Sequence, residues 1–183
     1  VTFTDRLVER YARESAADEL AHVNFLRSAL GSAAVAQPAI DIGVTATSAF
    51  SNAARAAGLV GNGVAFDVYA NDENFLLGAF IFEDVGVTAY KGAAPLLSNK
   101  TFLEAAAGIL AVEAYHAAIV RTTLYSKGVQ GLIDATEQIA AARDALDGSP
   151  AEDKVRGIAP NDDQGIAPSG TGDTLTANLS PLN

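Results

Sequence analysis

The chain has no cysteine, no methionine, no tryptophan and only two histidines in 183 residues. Without cysteine there is no disulfide, no thiolate metal site and no cysteine nucleophile. Methionine is missing at position 1 as well, so Val1 is not expected to be the translational start, and nothing after it reads as a signal peptide. Basic residues are sparse: 12 Lys and Arg against 22 Asp and Glu give a net charge of −10. That balance disfavours nucleic acid or an anionic membrane surface as a partner. No uninterrupted apolar run of about 18 residues occurs. The longest candidate, residues 78–87, is broken by Glu83 and Asp84, so no transmembrane segment is expected. A serine–histidine hydrolase lacks its Gly-x-Ser-x-Gly elbow, and no Walker or dinucleotide glycine pattern is present.

What remains is a chain with 49% hydrophobic and 19% charged residues, the composition of an ordinary globular domain with a sizeable core. Apolar positions recur with helical period over four stretches. The first helix is expected over residues 5–30, capped by Thr4 and stopped by Gly31, with a stripe of Leu7, Tyr11, Ser15, Asp18/Glu19, His22, Phe25/Leu26 and Ala29. Residues 73–91 form a second long helix capped by Asn71 or Asp72, with Leu76, Ala79, Glu83, Gly86 and Tyr90 inward. A third spans 100–127 from a Ser98/Asn99 cap, with Phe102, Ala106, Ile109, Glu113, His116, Val120 and Leu124 inward. A shorter one covers 129–146, its apolar side interrupted by Thr136. Between the first two lies a glycine-rich connection, 31–72, with one short helix near 46–57, long enough for a bundle crossover. The predicted organisation is a helical bundle domain, 1–147, and a Gly/Pro/Asp-rich tail or arm, 148–183, containing Gly-Ile-Ala-Pro twice, at 157–160 and 165–168.

Both histidines follow a glutamate by three residues: Glu19–His22 and Glu113–His116. With nine glutamates in the chain, one such pair arises by chance roughly one time in twenty, and two far less often. At that spacing the two side chains share a helix face one turn apart. Hard carboxylate oxygens can bridge and neutralise two divalent ions, and imidazole supplies terminal ligands. A bundle that holds two metals commonly takes one Glu from each of two helices and a Glu-x-x-His from each of the other two. The order here is Glu19/His22, then Glu83, then Glu113/His116, with one carboxylate fewer. The plainer alternative, core histidines bonded to their own glutamates, stays open on spacing alone.

That order resembles the ferritin-like superfamily. Residues 18–31 (DELAHVNFLRSALG), 82–95 (FEDVGVTAYKGAAP) and 110–121 (LAVEAYHAAIVR) resemble the ligand helices of its desiccation-related branch. The resemblance implies an all-α, ferritin-like up-down bundle with a long crossover loop, whose first helix would lie upstream of Val1 and whose C-terminal arm is irregular. It implies two Fe or two Mn ions on Glu19, His22, Glu83, Glu113 and His116. Asp18 would hold the distal nitrogen of a ligand histidine, His116 above all, and Tyr90 would be a further neighbour. The expected activity is Fe(II) oxidation or peroxide removal in stress or desiccation protection, if the chain is an oxidoreductase at all. The resemblance also favours a periplasmic or extracellular location, with a cytoplasmic one not excluded. Self-association or contact with another chain is expected through the arm. The contrasting expectation is an exported structural or assembly protein with an incomplete site, and a storage cage is a weaker third.

Overall fold

Three helices begin on an Asp or Asn whose side chain accepts hydrogen bonds from first-turn amides, satisfying donors that have no partner inside the helix. In the computed structural model, which describes residues 1–146 and 163–167, Asp5 caps α1 (Arg6–Leu30), Asn71 caps α3 (Asp72–Ala93) and Asn99 caps α4 (Lys100–Ser126). The short α2 (Ala49–Ala56) and the closing α5 (Gln130–Asp144) complete five α-helices, with no strand among the described residues. The α1 cap is therefore Asp5 rather than Thr4, because the Asp5 carboxylate reaches Leu7 N at 2.8 Å. Helix α3 runs past Gly92 and gives way at Pro95 to a short 3-10 turn, Ala94–Leu96. The boundary expected near residue 147 and the first Gly-Ile-Ala-Pro copy lie outside the described residues.

Two contacts set the relative direction of the long helices. Asp72, buried at the start of α3, accepts from Thr4 N and Asp5 N at 3.1 and 2.8 Å, so α1 and α3 start side by side. Lys127, just past α4, donates to Glu73 at 2.9 Å, so α4 ends where α3 begins. Each residue advances a helix by about 1.5 Å. Glu19 and Glu83 therefore lie about 21 and 17 Å from that shared end, and Glu113 meets them at a similar height. Since α1 ends at the opposite end from where α3 starts, the chain between them must travel the length of the bundle. That is the physical reason for the long 31–71 connection.

The connection is ordered by its own polar contacts. Asp41 accepts from Gly43 N and Ala49 N, while Arg55 donates to Val64 O and Ala46 O. Ser51 joins Thr45 O to Phe66 N. The core gathers Val8, Leu76, Leu77, Phe80, Val120, Leu124, Ile133 and Ile139 between α1, α3, α4 and α5, and Ile166 belongs to the same cluster.

Other expectations change as well: Phe102, expected inward on α4, is exposed. Leu7 and Phe25 are half exposed, whereas Val8 is the buried residue of α1. Because α1 packs chiefly on α4, only a narrow line along it is covered. Helix α4 is also, by length and composition alone, apolar enough to cross a membrane, since a helix need not be free of charge to pass that test. Here its Glu113, His116 and Arg121 are buried within the bundle.

The Asp72 carboxylate is pushed up by burial, but the Thr4 and Asp5 bonds outweigh this and hold it below the usual aspartate range. Asp72→Ala is expected to lower the unfolding free energy by about 3 kcal/mol in a urea titration. A loss below about 0.5 kcal/mol would show that Asp72 does not join the helix starts.

Candidate metal centre

Glutamate and histidine three apart on α1, the same pair on α4 and a single glutamate on α3 converge at one height of the bundle. His116 Nδ1 lies 3.3 Å from Glu19 Oε1 and 3.4 Å from Glu83 Oε2. His22 Nδ1 lies 3.5 Å from Glu19 Oε2 and 3.6 Å from Glu113 Oε1. Two groups result, Glu19/Glu83/His116 and Glu19/His22/Glu113, each with its donor atoms within 4.8 Å of one another. Glu19 is common to both and turns one oxygen to each imidazole, the disposition of a bridging carboxylate. The structure thus brings together all five residues that the sequence points to.

The donor set fits metal ions. Glu19 Oε1, His22 Nδ1 and His116 Nδ1 are buried and make no hydrogen bond. Leaving such atoms unsatisfied is costly. Atoms bound to one ion at about 2.1 Å stand roughly 3.0–3.6 Å apart for bond angles of about 90–120°, which covers the observed separations. His116 Nε2 lies 3.1 Å from Asp18 Oδ2. An ionised carboxylate only accepts, so this nitrogen carries the proton. In the neutral imidazole that leaves the Nδ1 lone pair facing two carboxylate oxygens, which repels unless a proton or a metal ion stands between them.

Burial and charge act together on the carboxyls. Burial raises Glu83 most strongly; His116 opposes this while the neighbouring Glu19 and Glu113 charges add to it, leaving Glu83 at about 7. Glu113 is raised by burial and by Glu19. Tyr90 is half buried, and its hydroxyl is raised by burial and by the Glu113 and Glu19 charges. It makes no hydrogen bond to the cluster among the described residues, so its contribution is packing and proximity. Gly86, expected merely as an inward position, clears space for a ligand: a Cβ there would collide with the Glu113 carboxylate.

The sequence did not single out the neighbouring buried charges. Asp84 receives Arg121 Nε at 3.0 Å, and Arg143 Nη1 stands 3.5 Å from the same carboxylate. An arginine inside the apolar stretch of α4 and an aspartate beside Glu83 were the available signals.

A ferritin-like domain family model matches residues 1–126. A desiccation-related protein of Craterostigma plantagineum, PCC13-62, is 47% identical over 62 residues, which are 34% of this chain and 20% of that protein. The match thus spans about a fifth of the curated relative's length. No solved structure matches the chain.

A carboxyl with a native pKa above its unfolded value stabilises the fold fully below the unfolded value and loses that contribution as pH rises through the native one. Without metal, the melting temperature is therefore expected to fall as pH rises from about 5 to about 8, as Glu83 ionises. Glu83→Gln should flatten this profile and raise the melting temperature at the upper end. An unchanged profile in that variant would assign the titration to other groups.

Proposed function

The chain belongs to the ferritin-like domain family, and from that membership we propose that it is a dimetal carboxylate protein that binds two iron or two manganese ions. The observation that carries this reading is the convergence of Glu19, His22, Glu83, Glu113 and His116 with three buried donor atoms left without hydrogen bonds. When bound, the ions would supply redox chemistry, either Fe(II) oxidation or disproportionation of peroxide. Glu19 would serve both ions, Glu83 and His116 one, and His22 and Glu113 the other. Asp18 would keep the proton on His116 Nε2 and leave Nδ1 free to ligate. Glutamate and imidazole suit iron and manganese alike, so the ligands do not choose between them. A role in stress or desiccation protection is supported by the similarity to a desiccation-related protein.

One observation favours a second reading, a structural protein with an incomplete site. The Glu19 and Asp18 side chains are 43% and 42% exposed, so one side of the cluster is open to solvent. On the same helix Leu20, Val23 and Phe25 are also exposed.

Elemental analysis after anaerobic Fe(II) or Mn(II) loading separates the two. The dimetal reading expects about two ions per chain, about one in Glu83→Gln or His22→Asn, and almost none in Glu19→Ala. Wild-type protein that retains neither metal after loading would overturn it in favour of the structural reading.

A further inference from the structure

Residues 163–167 dock where α3, α4 and α5 meet. Ile166 is fully buried in the main apolar cluster. Its N–H donates to Thr136 Oγ1 at 3.1 Å, and those of Gly165 and Ala167 donate to the Glu137 carboxylate at 3.3 and 2.7 Å. A Cβ on Gly165 would lie 2.6 Å from the Glu137 backbone nitrogen, so glycine alone fits there. On the other side Arg121 donates to Gly165 O at 3.0 Å and to Gln164 O at 2.9 Å. The same guanidinium holds Asp84 and lies 4.7 Å over the Phe80 ring. Arg143 joins Asp84 to Asp163. Two guanidinium groups and two carboxylates thus balance in a layer whose side chains are at most 15% exposed. Without the segment, Arg121 loses two carbonyl acceptors and the layer keeps one uncompensated positive charge, which a buried site tolerates poorly.

This charge layer and the candidate metal centre lie on one helix pair. Asp84 follows Glu83 on α3, and Arg121 lies beyond His116 on α4. Glu83–His116 at 3.4 Å and Asp84–Arg121 at 3.0 Å hold only in one axial register of the two helices. A slide by one residue, about 1.5 Å, would displace both pairs together. We propose that residues 163–167 form a strap whose docking and metal occupancy reinforce each other, with Arg121 and Asp84 as positioning residues for Glu83 and His116. This inference rests on the dimetal reading. Whatever favours the register at one layer favours it at the other, and such coupling is reciprocal.

The test uses the full chain and Mn(II). Hydrogen exchange of the amides at 165–167 is expected to slow about tenfold on Mn(II) saturation. Asp163→Asn and Arg121→Met should weaken the Mn(II) dissociation constant by a similar factor while far-UV circular dichroism stays helical. Thr4→Ala, which removes only the Thr4 hydroxyl bond to Asp72 and keeps the two backbone bonds that join the helix starts, should lower the melting temperature and leave the dissociation constant unchanged. If Arg121→Met fails to fold, Asp163→Asn alone carries the comparison. Mn(II) binding with unchanged exchange at 165–167 and unchanged affinity in Asp163→Asn would overturn the linkage and leave the dimetal reading standing. A chain that binds neither Mn(II) nor Fe(II) would overturn both.

Discussion

Carboxylates crowded into a half-buried layer repel one another, and positive charge entering the layer where Glu19, Glu83 and Glu113 meet relieves that repulsion. Protons or metal ions are the two sources. At low pH the burial-raised Glu83 keeps its proton, and the layer is less charged. As pH rises past about 7 that proton leaves and the layer gains negative charge. The nitrogens that face the carboxylates are the ones without hydrogen bonds. Five ligand-type side chains thus share one level of the bundle, and the long helices are the frame that holds the arrangement together.

The frame is set at a distance from the site. Asp72 draws the start of α1 to the start of α3, and Lys127 draws the end of α4 to the same place. From there, helix geometry alone carries Glu19, Glu83 and Glu113 to a common height. Gly86 then leaves the Glu113 carboxylate the place a Cβ would otherwise take. A second layer on the same helix pair, Asp84 with Arg121 and Arg143, has its charges balanced by Asp163 from a segment far along the chain. Residues 163–167 are therefore part of the core in packing terms, through Ile166, whatever course the chain takes before and after them.

Much of this was legible from residue order. Helical period, Asn caps and the Glu-x-x-His spacing are local properties, and α1, α3, α4, α5 and all five clustered residues follow from them. The role of Asp18 came from the resemblance to the ferritin-like superfamily, and His116 was its target because that residue faces it from the opposite helix. What stayed hidden depends on contacts between distant positions. Thr136 looked like a polar flaw in an apolar face, yet it is fully buried and receives the Ile166 N–H. Arg121 gave no local sign of its partners, which lie 37 and 44 residues away. The phase of α1 was misjudged by one residue at Leu7 because a helix packed along a narrow line has no broad stripe to read.

The most direct test of the proposed dimetal centre is anomalous X-ray scattering from crystals of the chain loaded with Mn(II). The account predicts two peaks, one bordered by Glu19, Glu83 and His116 and the other by Glu19, His22 and Glu113. Data in which neither position scatters, or in which manganese lies only on surface carboxylates, would contradict it.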